Sequence, residues 1–542
     1  MTNVTIHGMR SPVPRGGQLT ILDHSGIEKS LPWSELLANA RNAAGWFAAQ
    51  DIGPGASVML AAKTSYASIL AIVSAFIAGT AVSVSAVPVR PRHSGVLRNR
   101  VQRLRDEIEP ALLLGDADQL ELLDLDEDPT AVNLTDWISS LCRGAYMESD
   151  PPLVDENDAV VLQATSGTTG LPKVARVTDR NLRVNHAAIA SALEVDPSTD
   201  RFLSWLPLSH DMGLIGLMGT ALVTGTDLVV ADPALFAAQP GDWMRWCSEF
   251  RATITGGPSF AFGIAASMMR TRPPGNLSSL RVVLNGAELV NVGICEEFCT
   301  VGEQFGLKRE SHLPVYGLAE ATLAVAFPSL GRGVQEDSVG IHELEQYEAV
   351  PCEASSAGSY KTFAIVGHPL PGVDVRIVKG RGATADHREV GRIEVRGASV
   401  IPGYLGEPPL SDSWLDTGDL GYFVEDQLVV CGRSKDLIVI AGRNIFPEEI
   451  EAILATTAGV WRSNVAAFGL RRDHRENVIV MAEAENPADT QLQQQLAQLA
   501  GGYLDVRIHD VVLLSPGSIP KTPSGKISRS GCSDLYLSLM KS

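Results

Sequence analysis

The sequence predicts an α/β protein with a large N-terminal domain of helix-covered sheets, a barrel-like β subdomain, and a small C-terminal α/β domain. Three observations predict it. Apolar runs AVVLQA (159–164), DLVVA (227–231) and LRVVLNGAE (280–288) alternate with helical stretches such as RNLRVNHAAIASALE (180–194), and such alternation builds parallel sheets covered by helices. From about residue 365 the texture changes to short valine- and isoleucine-rich strands with tight turns, as in VDVRIVKGRGATADHREVGRIEVRG, the pattern of an antiparallel, barrel-like unit. After about residue 433 come further strand signals, SNVAAFGL and VIVMAEAE, and a polar Gln-rich helix at 491–499. The expected division is therefore 1–433, with the barrel-like part at about 365–433, and 434–542. A chain of 542 residues also exceeds the size at which one core keeps growing.

Composition narrows the class. With 45% hydrophobic and 20% charged residues the chain is an ordinary globular protein. A net charge of -19 argues against nucleic-acid or acidic-membrane binding, which needs a basic surface. The seven cysteines are scattered, odd in number and lack a CxxC pair, so neither a disulfide framework nor a zinc site is expected. The N-terminal MTNVTIHGMRSPVPRGG has no apolar segment of the signal-peptide kind, and the expected compartment is a reducing cytoplasm. The uncharged run Thr64–Val89 is long enough to span a bilayer, but AGT at 78–80 divides it into a helical half and a Val/Ser-rich half. That is the pattern of a buried helix feeding a buried strand, so no membrane span is expected.

The stretch LQATSGTTGLPKVARVTDRNL (162–182) carries the first chemistry. It is not a Walker A loop, because Leu171 and Pro172 separate the last glycine from the lysine. Thr165, Ser166, Thr168 and Thr169 offer hydroxyls, Gly167 and Gly170 let backbone N–H groups approach an anion, and Lys173 adds charge. Together they suit a polyphosphate. A polar turn between strand and helix is the alternative.

TSGTTGLPK resembles the phosphate loop of the superfamily of adenylate-forming enzymes, which includes acyl-CoA synthetases, peptide-synthetase adenylation domains and luciferases. Further motifs follow in that family's order: LPLSHDMGL, NGAE, YGLAEAT, DTGDLGY, GRSKDLIVIAGRNIFPEEIE and PKTPSGKISR, over about residues 160–530. Among members, fatty acyl-AMP ligases and their acyl-CoA synthetase relatives are the most similar. The resemblance implies a small domain that is mobile about a hinge at Lys435 and carries a catalytic lysine, Lys526.

The other roles follow from the same resemblance. Lys526 would neutralise the repulsion between carboxylate and α-phosphate, and Glu320 would hold Mg2+, a hard cation suited to carboxylate oxygen. Tyr316 would stack on adenine, with Gly317 and Leu318 beside it and Asn285, Gly286, Ala287 and Glu288 as the wall. Asp419 would accept from the two ribose hydroxyls, supported by Arg433. His210 would border the substrate carboxylate, with Asp211 orienting it, and Gly256, Gly257 and Phe260 would line the acyl pocket. Each has a plainer alternative: a solvated lysine, a helix-start glutamate, a core tyrosine or histidine, a common turn.

Two positions depart from the family pattern. Val174 stands where glycine is usual after the loop lysine, and Asp179 where histidine is usual. A Cβ there could bar a close backbone approach, and an unpaired carboxylate would repel a triphosphate; otherwise Val174 belongs to the next strand, and Thr178 or Asp179 caps the helix. The polar segment 327–363 resembles an insertion that in fatty acyl-AMP ligases restrains the small domain and disfavours CoA.

The implied function is activation of a hydrophobic carboxylic acid with ATP as acyl-AMP, then transfer to the thiol of CoA. The partners are therefore a small-molecule acid and either CoA or the phosphopantetheine of an acyl carrier protein. Three alternatives stay open: an acyl-AMP ligase serving a carrier protein, an enzyme that only uses ready-made acyl-adenylate, and a non-catalytic acyl-adenylate binder.

Overall fold

A computed structural model describes residues 16–87, 94–144, 154–165, 173–352, 360–380, 382–410, 414–440, 443–455, 457–472, 475–504, 508–521 and 526–540. Two sheets of mainly parallel strands form the first part. One has the strand order 131–133, 112–115, 57–61, 81–84, 159–164, 174–178. Its last pair is antiparallel. The other runs 312–314, 282–285, 254–257, 201–204, 227–231, 18–23, 26–32, with only the final hairpin antiparallel. The strands Ala159–Ala164 and Asp227–Ala231 fall where their apolar runs predict. One large apolar cluster, from Leu19 to Ile401, packs helices such as Trp33–Ala49 and Tyr66–Ala78 against these sheets.

The run Thr64–Val89 resolves as expected. Ser65 caps the helix Tyr66–Ala78, Gly79 ends it in the left-handed region at φ 73°, and Ala81–Val84 continues as a buried strand. Among the described residues no helix is long and apolar enough to cross a membrane.

The antiparallel sheet is present but begins earlier than the expected residue 365. Its nine strands include Tyr316–Gly317, Ala324–Phe327 and Glu336–Gly340 as well as Tyr360–Pro369, Asp374–Lys379, Gly391–Arg396, Leu415–Val424 and Gln427–Arg433. The early strands escape a periodicity reading because they are two to five residues long. The segment 327–363, polar in sequence, contributes one of them and the short helix Ile341–Leu344.

Beyond Ile438 the chain builds its own apolar clusters. Strands Val460–Arg472, Arg475–Ala484 and Ile508–Leu514 form a sheet, with helices Pro447–Ala455, Thr490–Leu504 and Arg529–Leu539 around it. One aromatic crosses back: Phe446 sits in the cluster of the antiparallel sheet with Phe363 and Tyr422.

Val174 and Asp179 take the structural of their two alternatives. Val174 starts the strand Val174–Thr178, fully buried against Met59, Leu104, Leu113 and Leu162. Thr178 caps the helix Asp179–Ala192 through a capping box with Asn181, and Asp179 pairs with Arg183 at 3.0 Å. Val174→Ala is accordingly expected to lower unfolding stability by roughly 1–3 kcal/mol, through lost burial and a residual cavity, without raising ATP turnover. Urea unfolding and steady-state kinetics on the same preparation check both halves.

Candidate active site

The family motifs, scattered over more than three hundred residues, meet around one buried carboxylate. Asp419 and Arg433 are direct partners across the strands Leu415–Val424 and Gln427–Arg433, a register that points both side chains to one face. Arg433 Nε lies 3.1 Å from Asp419 Oδ1, and the Tyr316 hydroxyl donates to Asp419 Oδ2 at 2.7 Å. Burial pushes the Asp419 carboxyl up, against the pull of Arg433 and the Tyr316 hydroxyl. Each Asp419 oxygen thus holds one donor and keeps a lone pair, which fits a vicinal diol. The same bond fixes the Tyr316 ring as a platform.

Lys526 reaches this cluster from the far end of the chain. Its Nζ donates to the carbonyl of Ala287, a residue held at φ 68° in the turn after Val282–Asn285. Burial lowers the Lys526 ammonium from its ordinary value, while Glu288 and Asp211 act to raise it. Burial raises the Glu288 carboxyl, which accepts the Phe260 amide at 2.9 Å. Asp211 is buried too; burial acts to raise it, but His210, Lys526 and the Met212 amide outweigh that and hold it low. His210 Nδ1 stands 2.7 Å from Asp211 Oδ1, so the aspartate orients the imidazole.

Glu320 lies in the short turn Ala319–Ala321, and burial raises its carboxyl. Tyr404, which sequence reasoning missed, donates to it at 3.1 Å, and the Tyr404 ring also lies under the Lys173 ammonium at 4.7 Å. Lys173 is in turn paired with Glu407 at 2.9 Å, another residue without a sequence signal. Among the described residues no three potential ligands gather as a metal cage. A single half-buried glutamate would suit Mg2+, which takes one or two protein carboxylates and would draw its other ligands from water and phosphate.

Other predicted residues fall as follows. Thr165 closes the loop mouth, its amide donating to Lys173 O at 2.8 Å; Ser166, Gly167, Thr168, Thr169 and Gly170 lie outside the described residues. Asn285 does not present its side chain to the site. It is fully buried, accepting from Ser259 Oγ at 3.0 Å and lying 3.2 Å from both Cys295 Sγ and His312 Nε2. A Cβ on Gly286 would meet Val315 at 2.8 Å, and one on Gly317 would meet Leu323 O at 2.0 Å, so both glycines serve close approach. Leu318 packs beside Tyr316. Gly256 and Gly257 lie tightly against Met212, Leu284 and Trp243, the core alternative for that segment, with Phe260 half-buried at its edge. Lys435 follows Ser434, whose amide donates to Gly418 O at 2.9 Å, and burial and Arg433 lower its ammonium.

Sequence reasoning also missed the π-helix Met212–Gly219 that leads away from His210 and Asp211. Its signal was the glycine spacing in MGLIGLMG: a Cβ on Gly213, Gly216 or Gly219 would collide with Pro207 O, Leu323 or His186. Such windings gather at functional sites.

These groups set a pH dependence. In the roles expected of them Glu320 and Asp419 are ionised, to hold cation and ribose, and burial raises both carboxyls; Lys526 in its expected role is protonated, and burial lowers it. Turnover is expected to fall on the acid side above the ordinary carboxylate range of about 4 and on the alkaline side below the ordinary lysine value of about 10.4. A pH profile of kcat/KM checks this, with Lys526→Arg moving the alkaline limb upward.

The family model described as AMP-binding enzyme matches residues 15–405. The Mycobacterium tuberculosis protein Rv1013, designated a ligase, is 39% identical over 401 residues, covering 71% of this chain and 73% of that protein. The long-chain-fatty-acid–AMP ligase FadD23 of M. tuberculosis is 29% identical, covering 96% of this chain and 94% of its own length. A solved structure from a study of fatty acyl-adenylate ligases of E. coli and L. pneumophila superimposes with a TM-score of 0.89 at 28% identity, covering 99% and 98% of the two chains. That of an L. pneumophila fatty acyl-adenylate ligase with acyl adenylate and pyrophosphate gives 0.73 at 26% identity, covering 98% and 95%. This chain is an adenylate-forming ligase of the AMP-binding enzyme family.

Proposed function

We propose that the protein joins a hydrophobic carboxylic acid to the α-phosphate of ATP, releasing pyrophosphate, and passes the acyl group of the resulting acyl-adenylate to a thiol. The observation that carries this reading is Lys526, half-buried, its ammonium donating to Ala287 O and lying within reach of the charges of Glu288, Asp211, Arg433 and Asp419. Asp419 holds the ribose hydroxyls and Tyr316 the adenine face. The carboxylate and the α-phosphate repel one another, and the protonated Lys526 offsets that repulsion as charge builds in the transition state. Mg2+, when bound at Glu320, supplies charge neutralisation of the phosphates. His210, oriented by Asp211, borders the acid. The apolar stretch WLPLSHDMGLIGLMG around them favours a hydrophobic acid over an amino acid.

For the acceptor, one contact favours the acyl-AMP ligase reading over CoA. Glu345, in the segment that resembles the restraining insertion, takes both Arg443 Nε (2.8 Å) and Nη2 (2.7 Å), and its carbonyl accepts from Asn444 Nδ2 at 2.7 Å. Arg443 and Asn444 belong to the GRN-x-x-P segment at 442–447, which the resemblance to the family assigns to the face that approaches the thiol donor. A bidentate pair there opposes the rotation that admits a soluble thiol. The thiol is thus taken from the phosphopantetheine of a carrier protein, with CoA the lesser acceptor.

The test is mass-spectrometric detection of acyl-AMP from purified protein, Mg-ATP and a panel of aliphatic and bulky acids, followed by addition of CoA or phosphopantetheinylated carrier protein. Accumulating acyl-AMP with slow CoA consumption is expected. Prompt acyl-CoA formation would reverse the acceptor assignment, and thioester made only from synthetic acyl-AMP would overturn the adenylation step.

A further inference from the structure

Arg100 stands out on the helix Ser94–Ile108. Of the other arginines on that helix, Arg98 pairs with Asp124 at 2.8 Å and Arg105 with Asp128 at 2.6 Å, while Arg103 is exposed to solvent. Arg100 is half-buried, yet among the described residues its guanidinium makes one long hydrogen bond, Nη2 to the carbonyl of Thr165 at 3.4 Å, and no ion pair. Burial alone acts on its charge and lowers it. A desolvated guanidinium with unused donors is costly unless an anion completes it.

Its position says which anion. Thr165 is the first residue of TSGTTGLPK, and its amide and hydroxyl close the loop mouth on Lys173 O. Val101 and Leu104, beside Arg100, lock the helix into the same apolar cluster as Leu162 and Val174, which flank the loop. Contacts then run in one line: Arg100 to Thr165, Thr165 to Lys173, Lys173 to Tyr404, Tyr404 to Glu320. Arg100 is the terminus of that line away from Glu320. Lys173, the other cation at the mouth, is already matched by Glu407. The charge left uncommitted at the loop is therefore that of Arg100, in the planar fork geometry that suits phosphate oxygens.

We propose that Arg100 is a second cation of the phosphate site, binding the β,γ-phosphate end of ATP and the departing pyrophosphate. The assignment rests on the adenylating reading above. Arg100 has no hydrogen bond or ion pair with Asp419, Arg433 or Tyr316, the groups assigned to the adenosine moiety, so AMP binding is expected to be independent of it.

The experiment uses the full chain with inorganic pyrophosphate, Mg-ATP and AMP as probes, comparing wild type with Arg100→Gln and Arg100→Lys. Loss of charge-assisted bonds predicts a roughly 10- to 100-fold weaker KM for ATP and inhibition by pyrophosphate in Arg100→Gln, with Arg100→Lys intermediate. AMP affinity stays at its wild-type value and the thermal midpoint does not fall, which also shows that the variant folds. Unchanged pyrophosphate and ATP parameters in Arg100→Gln would overturn the proposal, as would an equal loss of AMP binding. If wild type binds pyrophosphate through Arg100 but forms no acyl-AMP, the adenylating reading fails and the site assignment stands.

Discussion

Lys526→Ala is expected to cut acyl-adenylate formation by about 10²- to 10³-fold, the scale set by removing one preorganised group that faces charge in a transition state. The loss should appear in kcat, since the Asp419–Arg433–Tyr316 group proposed to hold the nucleotide stays intact. Transfer from synthetic acyl-AMP to a thiol should persist, because in the proposed mechanism Lys526 acts in the first step and leaves the site with the small domain for the second. Single-turnover assays of the two half-reactions check this separation. Equal loss in both would mean that Lys526 holds the structure together through Ala287 and takes no part in chemistry.

The second large effect concerns the acceptor. Glu345→Ala removes both Arg443 bonds, and at roughly 1.5–3 kcal/mol for hydrogen bonds to a charged group the bound arrangement should weaken by about 10-fold or more. Acyl-CoA formation from acyl-AMP should rise accordingly, while adenylation from free acid and ATP stays unchanged, because Glu345 touches none of the Asp419 group. Stopped assays with synthetic acyl-AMP and CoA measure the first, pyrophosphate release the second. An unchanged rate with CoA would show that the Glu345–Arg443 pair does not restrain the thiol side.

The parts legible in the sequence are those with dense local signals. Ala159–Ala164 and Asp227–Ala231 are apolar runs readable without a fold, and of the two cap candidates Thr178 and Asp179 it is Thr178 that caps, through a pairing with Asn181 that the sequence did not single out. Tyr316, Asp419, Arg433 and Lys526 were legible only through a motif order, yet they converge because strand register puts Asp419 opposite Arg433. Long-range polar contacts left no trace. Glu345 and Arg443 are 98 positions apart, Glu320 and Tyr404 84, and nothing in the local spacing announces either pair. Asn285 misled for a different reason. It ends a strand whose four residues are all buried, so its amide turns into the core beside His312, a histidine that burial drives down to about 3 and so keeps neutral. Val174 shows the converse: a departure from a family pattern within the nucleotide-binding stretch is met by core packing against Leu162 and Leu113.

Acid-dependent exchange of labelled pyrophosphate into ATP tests the central claim most directly, because it requires the adenylating step to run in both directions and needs no thiol. Rapid exchange that depends on a hydrophobic carboxylic acid, and that disappears in Lys526→Ala, is the predicted result. No exchange with any acid in the panel, from protein that binds AMP normally, would contradict it.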